Sequence, residues 1–213
     1  MLLSPYRFAT GSGSDPNWLD VGLLLHLNGN FTDSSSTPKT SASAGGLVTS
    51  TAAANYGEGV QCAAGQYITV AADNDLRFNG QFTFEFWMRA TPVGFGAGWQ
   101  DQDIFSTVSQ SVYIIIRGAS LDFRIHGSTL YLNTDMSGNT DWHHIAITRD
   151  ASNVVRVFLN GVQKWSLTNT GSDASSTGWE IGGITSLAAK PYVGKLDEIR
   201  FTKGVCRYAA GFT

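Results

Sequence analysis

The chain has 213 residues, of which 42% are hydrophobic, 12% aromatic and 15% charged. Lys and Arg number 14 against 17 Asp and Glu, a formal net charge of −3. The basic face that releases counterions from nucleic acid is therefore not expected. No run of eighteen apolar residues occurs, so no helix is expected to insert in a membrane. The start, Met1-Leu2-Leu3-Ser4-Pro5-Tyr6-Arg7, lacks a charged n-region followed by a long apolar stretch, so synthesis in a cytoplasm without a signal peptide is expected. Twenty-four glycines against five prolines, with many aromatics, suit a turn-rich β protein rather than a helical or disordered one. Cys62 and Cys206 stand far apart. They read as two free thiols, with a single bridge between early and late strands as the alternative.

In chain order, residues 1–20 read as an N-terminal arm. Gly11-Ser12-Gly13-Ser14-Asp15-Pro16 is a flexible breaker run. The arm is either a frayed terminus or a strap that docks on a neighbouring subunit through Tyr6, Phe8 and Trp18. Residues 21–27 form an apolar strand, closed by the turn signal Asn28-Gly29-Asn30. Residues 32–46 are small and polar and read as a loop. Strands follow at 66–70 and at 82–89, where Phe82, Phe84, Phe86 and Met88 share one face. Further strands are predicted at 103–108, 112–117, 121–125, 129–133, 143–149, 154–159, 163–167, 179–182 and 195–202. Asn160-Gly161 makes one tight hairpin among them. The spacing of strands and turns predicts an all-β fold, a two-sheet antiparallel sandwich over 21–213.

Trp142-His143-His144-Ile145-Ala146-Ile147-Thr148-Arg149-Asp150, followed by Val157-Phe158-Leu159-Asn160-Gly161, resembles the central hairpin of laminin-G-like jelly rolls. These belong to the concanavalin A-like lectin/glucanase superfamily. Phe82-Thr83-Phe84-Glu85-Phe86-Trp87, Ile181-Gly182-Gly183 and Gly194-Lys195-Leu196-Asp197-Glu198-Ile199-Arg200-Phe201-Thr202 resemble three more of the family's strands. The opening Asp15-Pro16-Asn17-Trp18-Leu19-Asp20-Val21 and the ending Thr202-Lys203-Gly204-Val205-Cys206-Arg207-Tyr208 are similar to such domains in tailed-bacteriophage virion proteins. The resemblance implies a jelly roll carried in many copies on a particle surface, with capsid or tail proteins as partners. The chain holds little beyond the module, which favours a decorating accessory protein over a long tail fibre.

Glucanases of this superfamily use two or three carboxylates alternating along one strand, about 5 Å apart for retaining hydrolysis. The matching segment, 112–117, carries none, and Glu85 stands alone among aromatics, so no enzyme activity is expected. His143 and His144 are adjacent and point to opposite faces, which prevents joint chelation. Many relatives hold one calcium, and the resemblance implies Asp33 and Asp197 as its carboxylate ligands. The alternative is that Asp33 opens a turn and Asp197 pairs with a basic side chain such as Arg200. In Gly94-Phe95-Gly96-Ala97-Gly98-Trp99-Gln100-Asp101-Gln102-Asp103, Trp99 offers a stacking platform for a sugar, with Gln100, Asp101 and Asp103 to take hydroxyls. The alternative is a glycine-bearing bulge with Trp99 on protein. Three functions stay open. The leading one is a structural virion protein that contacts host-surface glycans, followed by a host-adsorption lectin of the tail and then a glycan-degrading enzyme.

Overall fold

From Phe82 to Met88 every second residue of β6 (Phe82–Ala90) is large and apolar, and this stripe decides which side of the strand meets the core. Phe82, Phe84, Phe86 and Met88 are all buried. The computed structural model, which describes residues 15–90, 102–117, 120–131, 141–183 and 191–212, packs two antiparallel sheets into a jelly-roll sandwich. The eight-stranded sheet runs β13 (Val162–Thr168), β12 (Val154–Leu159), β11 (His143–Arg149), β6, β15 (Gly194–Lys203), β4 (Gly59–Cys62) and β3 (Thr49–Ser50), with β1 (Val21–Leu25) also on β15. The seven-stranded sheet runs β10 (Ser128–Tyr131), β9 (Ser120–Ile125), β8 (Val112–Arg117), β7 (Gln102–Thr107), β14 (Trp179–Ile181), β5 (Tyr67–Val70) and β2 (Ser41–Ala44).

The inward stripes of both sheets meet around Phe78. Its ring lies 5.3 Å from Trp179 in a stacked pair, and 5.8 and 5.1 Å from Phe105 and Phe201. Such rings bury large areas and add edge-to-face attraction, so this cluster fastens one sheet to the other.

Strand β15 is long enough to serve two neighbours on one edge. β4 pairs with Gly194–Leu196 and β1 with Ile199–Thr202, and a bulge between Asp197 and Arg200 separates them. Glu198 sits in that bulge at φ +46°, a left-handed conformation that a side-chain-bearing residue keeps only under outside restraint. The restraint is His26, whose Nδ1 lies 3.0 and 2.8 Å from the two carboxylate oxygens of Glu198.

Three differences from the sequence reading concern short strands. The segment 32–46, expected to be a loop, contains β2, and β3 and β4 were not expected at all. Ser41-Ala42-Ser43-Ala44 lacks the bulky alternation that marks a strand. It lies at a sheet edge, paired only with β5. β1 also stops at Leu25 rather than at 27, because Leu27 turns to φ +59°. Of the arm, residues 1–14, including Tyr6 and Phe8, lie outside the described residues. Trp18 is half-buried against Val21 and Leu24 of its own chain. Cys62 is buried and Cys206 half-buried, both as free thiols. Burial pushes the Cys62 thiol up to about 12.

Candidate functional site: the outward face of the seven-stranded sheet

One ladder of directly opposed residues crosses all seven strands: Thr129, Arg124, Tyr113, Ser106, Glu180, Thr69 and Ala42. Their chain neighbours Leu130, Phe123, Ile114, Phe105, Trp179 and Ile68 lie in the core, so the ladder points away from it. A second outward row holds Tyr131, Asp122, Ile115 and Asp103. At about 4.8 Å between strands, the face is roughly 29 Å wide. Ser106, Glu180, Asp122, Ile115 and Asp103 are buried on this side, so its accessible part is the β8–β10 end, with Tyr113, Arg124, Thr129 and Tyr131.

The chemistry concentrates on β8, β9 and β10. The Arg124 guanidinium carbon stands 5.5 Å from the centre of the Tyr113 ring, and Nη1 donates to Tyr113 Oη at 3.3 Å. Arg124 Nε is buried without a hydrogen-bond acceptor. Beside it, Asp122 accepts from Arg117 Nε at 3.0 Å and from Ser120 Oγ at 3.1 Å. Tyr131 is 58% exposed on the edge strand. Half-buried aromatic rings next to oriented planar polar groups suit sugars, whose rings stack while their hydroxyls hydrogen-bond.

Of the four residues singled out for glycan contact, Trp99, Gln100 and Asp101 lie outside the described residues. Asp103 is buried in β7, opposite Ile115, on the outward side that also carries Asp122. Sequence reasoning missed Tyr113, Arg124 and Tyr131. The alternation Leu121-Asp122-Phe123-Arg124-Ile125 does mark an outward polar side, but not which strands lie next to it.

The residues present do not fit the calcium site that the resemblance implies. Asp33 Oδ1 accepts from the N–H groups of Leu24 and Ser35, at 2.8 and 2.9 Å. Its Oδ2 accepts from Ser35 Oγ and Lys39 N–H, at 3.0 and 2.7 Å. All four lone-pair directions are taken, so Asp33 is a turn-former and not a ligand. Asp197 does not pair with Arg200. Its Oδ2 accepts from the N–H groups of Asn55 and Tyr56, both at 2.7 Å, and Oδ1 is buried without a partner. Burial lifts the Asp197 carboxyl to about 7, against those two backbone donors and with the help of the Glu198 charge. Asp197 Oδ1 is thus the one open carboxylate oxygen of the implied pair, and no group of three or more His, Cys, Asp or Glu side chains among the described residues could hold a metal.

Glu85, which looked solitary in sequence, is the hub of a buried network on the outer side of the eight-stranded sheet. Its Oε1 accepts from Arg200 Nε and Nη2, and Oε2 accepts from Tyr208 Oη at 2.9 Å and lies 3.2 Å from His144 Nε2. Burial works against its charge, but Arg200 and His144 outweigh it and hold the carboxyl down at about 2. Asp15 joins by pairing with Arg207 and Arg200. The four histidines are likewise held by named partners: His26 by Glu198, His126 by Asp173, His143 by Asn160 and His144 by Glu85.

This architecture, a two-sheet jelly roll with a polar outward face and an aromatic core, defines a lectin-like sandwich. The chain belongs to the concanavalin A-like lectin/glucanases superfamily, whose family model matches residues 63–207. No curated protein sequence matches it significantly. Among solved structures, it is similar to the botulinum neurotoxin serotype D binding domain, with 14% identity, a TM-score of 0.71, and 93% of this chain and 50% of that one covered. The binding domain of Paraclostridial Mosquitocidal Protein 1 gives 15%, 0.68, 91% and 50%. The chain thus spans about half the length of these toxin binding domains. Domain 4 of AbnA, a GH43 extracellular arabinanase from Geobacillus stearothermophilus, solved with arabinotriose, gives 18%, 0.63, 88% and 94%. At these identities the likeness is one of fold.

Proposed function

We propose that the protein is a non-enzymatic glycan-recognition domain that binds sugar on the outward face of its seven-stranded sheet. The observation that carries this is the Arg124–Tyr113 pair beside Tyr131 on that face. The AbnA domain, matched over almost its whole length and solved with arabinotriose, supports the reading at the level of fold. The outward positions of β8 are Tyr113, Ile115 and Arg117, so the strand read against the glucanase pattern lacks an acid and a nucleophile. A glycan array followed by calorimetry tests this: binding without release of reducing ends is expected, and Tyr113→Ala should remove most of it. Failure of every glycan to bind would overturn the proposal, as would hydrolysis of a bound one.

A second reading, that the domain decorates a bacteriophage particle, is favoured by the way the chain ends are held. The two segments that resemble phage virion proteins meet where Asp15 pairs with Arg207 and Arg200. The arm therefore leaves the sandwich from a rigid point, a suitable base for a strap on a capsid or tail protein. Electron microscopy of whole particles tests it: removal of residues 1–14 should strip the protein from the particle, and full retention would sink the idea.

A further inference from the structure

Resting on the glycan-recognition reading, we infer that the face takes an acidic sugar, one bearing a carboxylate, sulfate or phosphate, with Arg124 as the anion-binding residue. Arg124 is half-buried and has no carboxylate partner among the described residues, whereas Arg117 on the same face is satisfied by Asp122. Asp122 is engaged by Arg117 Nε and Ser120 Oγ. Asp103 lies on the same outward row as Asp122, two strands away, so what singles out Arg124 is its lack of a carboxylate partner rather than a net positive charge.

The ladder puts Glu180 three strands from Arg124, roughly 14 Å away and beyond the screening length of physiological salt. A guanidinium kept half out of water, with Nε lacking an acceptor, is a destabilising feature unless something completes it. Its guanidinium carbon lies 5.5 Å from the Tyr113 ring centre with Nη1 on Tyr113 Oη, which holds the group beside the ring and leaves Nη2 to donate to an oxyanion. Thr129 lies directly opposite Arg124, and Tyr131 is two residues further along the same strand. An acidic group on Arg124 would therefore bring its own sugar ring over a tyrosine, with a hydroxyl donor at hand.

The probes are matched pairs that differ only in charge: tetragalacturonate against its methyl ester, and 3′-sialyllactose against lactose. Calorimetry on the full chain should give binding to an acidic member at least about tenfold tighter than to its neutral partner, weakening as salt rises. Arg124→Gln should cost the acidic ligand roughly 10- to 100-fold and the neutral one much less. Arg124→Lys, which keeps charge and bulk but loses the fork, should fall in between. An unchanged thermal midpoint for either variant shows that folding is not the cause. Equal binding of both members of each pair, untouched by Arg124→Gln, overturns this inference and leaves the glycan reading intact. Binding of neither member in both pairs overturns this inference, and the glycan reading falls with it only where the array also finds no ligand.

Discussion

Arg200 sets Nε and Nη2 on one oxygen of Glu85, at 2.9 and 2.6 Å, and Glu85 is fully buried although it faces away from the core. The pair survives there because both ends of the chain close over it. Asp15 binds Arg200 and Arg207 from the N-terminal side, and Tyr208 donates to Glu85 from the C-terminal side. Removing one member of such a pair strands the other without water or counterion, a loss typically of about 3–5 kcal/mol. Arg200→Met should lower unfolding free energy by that order in urea. The double variant Glu85→Leu/Arg200→Met should regain much of the loss, because neither member is then left buried without the other, and Asp15 keeps Arg207. A single variant as stable as the parent would show that the pair is dispensable.

The same network makes the fold acid-sensitive. Glu85 takes up a proton near 4.5 when unfolded but only near 2 when folded, so between those values the unfolded chain binds more protons. Stability is fully present above that window and is lost as pH falls through it, by on the order of 3 kcal/mol from this group. Asp15 and Asp173 are also held below their ordinary range, despite burial, by Arg207 and by His126 with Ser111, and they act in the same direction. Urea midpoints across the acid range should fall steeply for the parent protein. Glu85→Gln should be weaker at neutral pH but have a flatter profile.

What the sequence made legible followed period-2 alternation. Phe82 to Met88 and Leu121 to Ile125 announce both their strands and their buried sides without help from tertiary structure. Thr49–Ser50, Gly59–Cys62 and Ser41–Ala44 do not, because small side chains leave no such stripe. Glu85 and Arg200 were visible only as letters: they are 115 residues apart and meet through the β6–β15 register. The Tyr113–Arg124 pair had the same difficulty on a smaller scale. It depends on which residues face each other across the β8–β9 hairpin, and the ladder beyond it depends on a bulge between Asp103 and Phe105.

Gly161 tests how the C-terminal segment is seated. At φ +77° it closes the β12–β13 hairpin, and its carbonyl accepts from Phe212 N–H at 2.9 Å. A Cβ there would come within 1.9 Å of the Phe212 carbonyl oxygen, so Gly161→Ala combines left-handed strain with a backbone clash. Lifting the segment relieves the clash but undoes the contacts of the Phe212 ring with Phe158 at 5.4 Å and His144 at 5.9 Å. A loss of about 1–3 kcal/mol is expected, with faster proteolysis near the C-terminal end. Parental resistance to protease would rule this seating out.

Calcium provides a test in the opposite direction. With Asp33 filled by four protein donors and Asp197 left with one open oxygen, excess calcium and a chelator should give thermal midpoints within about 1 °C of each other. A rise of several degrees with calcium, abolished in Asp197→Asn, would overturn the argument that these residues do not make a site.

Asp173 is a heavily bonded loop residue, on the segment 169–178 that carries the chain from β13 in one sheet to β14 in the other. Its Oδ1 accepts from Ser111 Oγ at 2.6 Å and lies 3.1 Å from His126 Nε2, and Oδ2 accepts from Phe78 N–H at 3.0 Å. Its own N–H donates to Asn79 Oδ1 at 2.6 Å, and its carbonyl accepts from Asn79 Nδ2 and from Arg77. One side chain thus ties the β8–β9 end of the seven-stranded sheet to the turn that presents Phe78 to the core. Asp173→Asn keeps the shape but removes the charge beside His126 and replaces one acceptor oxygen by a donor, which weakens the set of bonds to Phe78 N–H, Ser111 and His126. An unfolding free energy lower by roughly 2–4 kcal/mol is expected. Hydrogen exchange should rise first at Phe78 and along the loop, while the centre of β6 stays protected until global unfolding. Uniform acceleration across both sheets would instead mean that the loop is not an independently opening unit.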